Sequence, residues 1–234
     1  MVENIVEYIV LCFLVALLCV IFSRFRPART RKIADNLYSV RCAFVNFYVL
    51  TTEGGVVLFD LGISPPLAKR GLKRLGISPD AVTHIFMTHT DFDHLGGLSA
   101  FKQAGLYISK AEEQMINGQT ARRGFLRNRR LSSYNTVENG ETVVVGNTTI
   151  KLILAPGHTP GSSVYLVDGR ILVTGDLLRL TMKRAVKPFF WLMNMNHRQD
   201  KESVEAMRDL TESAEYILTG HTGIRFNEGY SGKA

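Results

Sequence analysis

The chain has 234 residues, room for one domain of ordinary size or slightly more, and its 46% apolar and 21% charged residues supply a packed core and exclude wholesale disorder. Three cysteines, Cys12, Cys19 and Cys42, are too few for a disulfide framework and point to a reducing compartment. The formal charge of +7 is unevenly spread: residues 122–130 hold five arginines and no acid, and the rest of the chain beyond residue 32 is close to neutral. A general nucleic-acid-binding surface is therefore not implied.

In chain order, the first feature is IVEYIVLCFLVALLCVIF over 5–22, with one charge, Glu7. As a helix it would span roughly 27 Å, close to a bilayer's hydrocarbon thickness, and it predicts an N-terminal transmembrane helix. A cleaved signal peptide would want a basic start and a small-residue cleavage site, whereas this run begins with Glu3 and Glu7 and ends in Phe22-Ser23-Arg24. The basic residues that follow, Arg24, Arg26, Arg29, Arg31 and Lys32, predict a single-pass membrane protein with the bulk of the chain in the cytosol. The expected division is an anchor and basic segment over 1–32 and a folded domain over 33–234.

Past residue 31 the sequence turns to short β-branched runs punctuated by glycine and proline. Strands are predicted at 37–40, 43–51, 55–60, 83–88, 106–109, 141–145, 149–154, 163–167, 171–174 and 216–219, and helices at 66–75, 97–103, 111–117 and 199–213. Strands interrupted by helices suggest sheets covered by helices, an α+β architecture.

The chemistry-bearing stretch is Thr88-His89-Thr90-Asp91-Phe92-Asp93-His94-Leu95-Gly96-Gly97, between an apolar strand and a helix. Imidazoles and carboxylates gathered in one tight loop suit zinc, iron or manganese. A loop that merely caps the next helix would account for Asp91 or Asp93 but not for both histidines. Three further islands place a His or Asp directly after a glycine at a strand end: Pro156-Gly157-His158-Thr159-Pro160-Gly161-Ser162, Thr174-Gly175-Asp176 and Thr219-Gly220-His221. Glycine permits the sharp turn that aims each side chain at a shared point.

Together with Asn46 and Tyr48 in the opening hairpin and the Phe59-Asp60-Leu61-Gly62 turn, these islands occur in an order that resembles the metallo-β-lactamase fold superfamily over nearly all of 35–225. The resemblance implies a four-layer αβ/βα sandwich with a two-metal site at one edge of the sheets. It further implies that His89, Asp91 and His158 hold one metal and that Asp93, His94 and His221 hold the other, with Asp176 as the bridge. Asp93 and Asp176 would be the carboxylates engaged in catalysis. The implied cofactors are two divalent metal ions, zinc in the first place and iron or manganese as alternatives. The implied activity is hydrolysis of a small ester, thioester, lactone or phosphodiester by a hydroxide that the metal pair activates.

Asp91 departs from the superfamily loop, which usually reads HxHxDH; the shorter, charged ligand tilts metal preference toward iron or manganese. An iron-dependent redox enzyme and an inactive scaffold are therefore the competing readings. Asp60 is expected either to support a ligating histidine or to form a turn. His84 is expected to be a strand residue, His197 a solvated one and Cys42 buried filler. The segment 177–196 leaves Asp176 and contains Lys183, Arg184, Lys187 and the apolar run 188–193. Core packing beneath the site is one reading of Phe189, Phe190 and Trp191. The other is contact with a lipid-like anionic substrate or a bilayer, aided by the arginines at 122, 123, 127, 129 and 130.

Overall fold

The computed structural model describes residues 2–230, and within the first helix the side chains of residues 7–13, 15–17, 19, 20 and 22. That helix, α1, is Val2–Phe22. Among the described residues no helix is long and apolar enough to cross a membrane. The transmembrane span expected over 5–22 is therefore corrected, and with it the single-pass, cytosol-facing assignment.

The remainder is built on two sheets. The first contains β1 (Arg31–Lys32), β2 (Leu37–Cys42), β3 (Val45–Thr52), β4 (Gly55–Phe59), β5 (Val82–Phe86), β6 (Gly105–Ser109) and β7 (Asn135–Val137), hydrogen-bonded in that order. The second draws on β8 (Thr142–Val145), β9 (Thr148–Leu154), β10 (Ser163–Val167) and β11 (Ile171–Gly175). A two-stranded ribbon, β12 (Leu178–Leu180) and β13 (Val186–Pro188), then intervenes before β14 (Tyr216–Thr219) and β15 (Gly223–Phe226) complete the second sheet in the order β15-β14-β11-β10-β9-β8.

Period-two burial explains why these runs form strands buried on both faces. In β3, Phe47 and Val49 face one core while Tyr48 and Leu50 face another; in β4, Leu58 takes the first side and Val57 and Phe59 the second. The core between the sheets joins Leu50, Phe59 and Phe86 of the first to Leu152, Tyr165 and Val173 of the second. On the outer face of the first sheet lie Ala68 and Leu72 of helix α2 (Pro65–Arg74), packed with Val40 and Ile85. Short helices α3 (Phe92–Leu95) and α4 (Glu113–Ile116) follow β5 and β6. Outside the second sheet, α5 (His197–Ala206) and α6 (Arg208–Ser213) place Val204, Met207 and Leu210 against Leu172 and Ile217. Helix, sheet, sheet and helix make the expected α+β sandwich.

Five elements differ from expectation. The helix predicted at 97–103 is instead α3 followed by a single tight turn at Leu98–Ala100. A Cβ on Gly97 would lie 2.2 Å from the Leu61 carbonyl oxygen, so close packing against the neighbouring turn decides the path there. The helix predicted at 199–213 starts two residues earlier and breaks at Met207. The edge strands β1, β7 and β15 are two to four residues long, too short to show a period.

Candidate metal centre

The ends of β4, β5, β9, β11 and β14 converge on one edge of the sandwich. β4 and β5 are parallel in the first sheet and β11 and β14 are parallel in the second, so their carboxyl ends open on the same side. Two cross-sheet hydrogen bonds fix the edge: the Tyr48 hydroxyl donates to the Thr219 carbonyl at 2.8 Å and the Tyr165 hydroxyl to the Met87 carbonyl at 2.8 Å. Gly157 adopts φ +142°, and a Cβ there would meet the Asp200 backbone nitrogen at 2.3 Å; only glycine lets the His158 loop close against α5.

Four histidines reach this point, each at most 2% exposed. Their outer nitrogens all donate to oxygen. His94 Nδ1 donates to Asp60 Oδ2 at 2.8 Å, His221 Nδ1 to the Phe44 carbonyl at 2.9 Å, and His158 Nδ1 to Asn194 Oδ1 at 3.0 Å. The Thr88 hydroxyl spends its one proton on Asp60 Oδ2 at 2.8 Å and so accepts from His89 Nδ1 at 3.0 Å. Each Nδ1 is thereby fixed as a donor, which turns Nε2 inward.

The inward atoms form two clusters that could each hold a metal ion, His89 with His158 and Asp176, and Asp93 with His94 and His221. Asp176 reaches both: its Oδ2 lies 3.2 Å from His221 Nε2 and 3.6 Å from His158 Nε2, and its Oδ1 lies 3.5 Å from His94 Nε2. Asp93 Oδ2 is 3.3 Å from His221 Nε2. His89 Nε2 and Asp176 Oδ1 are buried with no hydrogen-bond partner, the condition of a donor that waits for a cation. The field agrees. Burial opposes charge on His221, yet Asp176 and Asp93 push its pKa up to about 9, and Asp176, Asp60 and Asp93 likewise outweigh burial to hold His94 well above its ordinary value. Burial and the neighbouring imidazoles of His94 and His158 keep His89 well below it. The donor set, imidazole nitrogen plus carboxylate oxygen, fits a divalent ion of the zinc, iron or manganese type.

Asp91 stands beside the first cluster in a different partnership. Its Oδ2 is 3.2 Å from His158 Nε2 and 3.7 Å from His89 Nε2, but both oxygens accept from Arg122 Nε, at 2.9 and 2.8 Å. Although burial opposes ionisation, His158, His89 and Arg122 hold the Asp91 carboxyl far below its ordinary range.

Two supporting residues were invisible in the spacing. Glu112, 1% exposed, accepts from the Thr90 backbone N–H and hydroxyl through Oε1, at 2.8 and 2.7 Å, and from the Thr159 hydroxyl through Oε2 at 2.6 Å. It joins the loop that carries His89 to the loop that carries His158. Arg122 belonged to an arginine run with no motif; the missed signal was the acid at 91, which, once buried, calls for a cation. Asp60, at φ +61°, also accepts from the Thr88 backbone N–H at 2.8 Å, so it orients His94 and braces the loop together. Asp60→Asn is expected to weaken metal binding by about 10–100-fold with the fold retained, as read by metal titration and circular dichroism.

The remaining sequence candidates lie outside the cluster. His84 is a half-buried residue of β5 whose Nδ1 meets Thr83 Oγ1 at 2.9 Å, and Cys42 is buried in the core. His197 opens α5, with Nδ1 3.2 Å from Asn194 Nδ2. Of the apolar run, Phe189 is 2% exposed and edge-on to His158 at 5.4 Å, so it packs at the site, whereas Trp191 is 66% exposed. Arg123 and Arg127 are bonded to the carbonyls of Leu192 and Gly118.

Residues 40–221 match the family model of the metallo-beta-lactamase superfamily. An N-acyl homoserine lactonase of Bacillus cereus is 29% identical over 160 residues, covering 55% of this chain and 62% of that protein, so the chain spans about three-fifths of that relative's length. A probable metallo-hydrolase, YqgX, of Bacillus subtilis (strain 168) is 28% identical over 142 residues, covering 57% of this chain and 65% of that protein. Among solved structures, the subclass B3 metallo-beta-lactamase BJP-1 of Bradyrhizobium japonicum superposes with a TM-score of 0.65 at 22% identity, covering 85% of this chain and 79% of that one. The class B3 di-zinc enzyme LRA-12 from an Alaskan soil metagenome does so at 0.65 and 21%, covering 86% and 80%. With the family model spanning most of the chain and the same sandwich carrying the same ordered islands at its edge, the chain belongs to the metallo-beta-lactamase superfamily.

Proposed function

We propose that the protein is a metal-dependent hydrolase of a small carboxylic ester or lactone that bears an acyl chain. The observation that carries this reading is the pair of donor clusters together with a cavity of about 470 Å³ lined by Asp91, Phe92, Leu95, Arg122, Leu126 and Met193, whose Asp91 Oδ2 lies 3.2 Å from His158 Nε2 of the first cluster. Asp93, His94 and His221 would hold one divalent ion, with Asp176 alongside; His89, His158 and Asp176 offer a second set of donors. A bound ion of this type lowers the pKa of water toward neutrality and polarises the carbonyl under attack.

The chain's own residues do the rest. The four imidazoles turn Nε2 inward without reorganisation, because their Nδ1 atoms are already committed as donors. Phe92 and Leu126, 70% and 55% exposed, form an apolar mouth suited to an acyl chain, while Leu95 and Met193 form the wall beneath. Arg122 and the Asn128 amide, which donates to Asp91 Oδ1 at 3.3 Å, supply polar groups at the inner end. The apolar side chains suit an acyl chain, and Arg122, Arg123, Arg127 and Arg129, which line the same cavity, suit a carbonyl or anionic group beside it. The similarity to an N-acyl homoserine lactonase supports the same class.

The test is a panel of lactones, esters, thioesters and phosphodiesters, offered to the zinc-loaded protein and to the protein stripped by chelator. Turnover of lactones or esters that chelation abolishes and added metal restores is expected; turnover unchanged after verified metal removal would overturn the reading. Within that panel, Leu126→Asp is expected to lower kcat/KM for long acyl chains by about 10-fold relative to short ones, the scale of one or two lost methylene contacts.

A further inference from the structure

Counting lone pairs and charges around His158 separates the two donor clusters. A neutral imidazole has one acceptor nitrogen. His158 Nδ1 is spent as a donor to Asn194 Oδ1, which leaves Nε2, and Nε2 lies 3.1 Å from Arg122 Nη2, a group that only donates. The same Nε2 lies 3.2 Å from Asp91 Oδ2, so the inner end of His158 already faces a guanidinium–carboxylate pair where a metal would sit. The placement is built in. Arg122 Nε bridges both oxygens of Asp91, Nη2 also donates to the Met193 carbonyl at 2.7 Å, and the Arg122 backbone N–H donates to Leu126 at 2.8 Å to hold the turn; the side chain is only 12% exposed. Among the described residues, nothing comparable faces the second cluster. His94 and His221 are oriented there by a carboxylate and a backbone carbonyl, and the groups they meet inward are Asp93 and Asp176.

We propose that the Arg122 guanidinium supplies, beside His158 and Asp91, the positive charge a second metal ion would bring, so that the chain holds a single tightly bound divalent ion at Asp93, His94 and His221. The cluster of His89, His158 and Asp176 then accepts a second ion strongly only when Arg122 is removed. Two cations competing for one imidazole lone pair in a buried place cannot both be accommodated without one leaving. The buried acid at 91 and the arginine at 122 form one unit: the acid lacks the ring nitrogen that would add to a metal's ligand set, and the arginine neutralises its charge. The proposal rests on reading the two clusters as metal-binding, and is independent of the substrate.

The experiment is metal stoichiometry, measured by elemental analysis and native mass spectrometry on full-length protein stripped by chelator, titrated with Zn²⁺ alone and dialysed. Wild type is expected to retain about one ion per chain, with any second ion weaker by at least about 100-fold. Arg122→Met, which keeps length and removes charge, is expected to retain about two. Should that variant leave Asp91 unpaired and fail to fold by circular dichroism, the double variant Asp91→His/Arg122→Met decides, with two ions again expected. His221→Ala is expected to lose the tight ion. Two ions of matched affinity in wild type, or one ion in both folded Arg122 variants, would overturn the proposal. A wild type that binds no ion would instead overturn the metal reading of the clusters themselves.

Discussion

Asp176→Asn is expected to abolish measurable hydrolysis and to strip the protein of metal. Asparagine keeps the shape of the side chain and removes its charge, so the change tests electrostatics rather than packing. Among the described residues, Asp176 is the one whose oxygens reach His94, His158 and His221, at 3.5, 3.6 and 3.2 Å. Burial works against its ionisation, yet His221 and His94 hold its carboxyl well below the ordinary range, so it stands as a fixed negative charge between the two clusters. Loss of that charge should cost more than the roughly 10–100-fold that follows removal of a group merely supporting a ligand. Metal content by elemental analysis, with turnover of the best substrate from the panel, checks the outcome. Full metal content and full activity would show that Asp176 only fills space.

The second large effect is on folding. Glu112→Ala would leave the Thr90 N–H, the Thr90 hydroxyl and the Thr159 hydroxyl without the acceptor they now share. Each buried orphan costs about 1–3 kcal/mol, so a loss of about 3–9 kcal/mol is expected, a large part of the stability of an ordinary domain. Denaturant unfolding of the metal-free protein measures it. Glu112→Gln retains an acceptor oxygen and separates charge from shape. Burial pushes the Glu112 carboxyl up to about 7 from an ordinary 4.5, although the Thr159 and Thr90 hydrogen bonds oppose the rise. A carboxyl whose pKa is raised on folding stabilises fully below the unfolded value, and its contribution is lost as pH climbs through the folded one. Wild type should therefore lose stability relative to Glu112→Gln between about pH 5 and pH 8. A constant difference across that range would assign Glu112 a purely structural hydrogen-bonding role.

The sandwich could be read in the sequence because its inner strands are short, near-continuous apolar runs, several of which give way to glycine. The strands at 163–167 and 216–219 lie where the pattern puts them, and His89, His158, Asp176 and His221 each follow an apolar run directly, so strand ends carry them to one edge. What could not be read depends on contacts distant in the chain. Asp91 and Arg122 are 31 residues apart with no periodic relation, and Glu112 sits between two loops that carry no signal for it. The helix at 97–103 failed because propensity cannot register the Leu61 carbonyl pressed against Gly97. The apolar run at 5–22 was read from its length, its composition and its flanking charges, and these fix neither a span nor a compartment.

The chain enters the domain by way of the metal centre. The Phe25 ring stacks on the His221 imidazole with centroids 4.3 Å apart and planes 24° apart, and the Arg26 backbone N–H donates to the His221 carbonyl at 2.7 Å. The Asn46 side chain ties both backbone groups of Ala28 to the opening hairpin, at 2.7 and 2.9 Å. The border set at residue 32 by charge pattern thus falls after the segment that walls one side of the centre. A shortened chain beginning at residue 33 would keep every proposed ligand and still lose the ring that covers His221, opening that imidazole to bulk water. Enzymology on trimmed protein would then report a wetter site than the whole chain possesses, and trimming before Arg24 is the version that preserves the native wall.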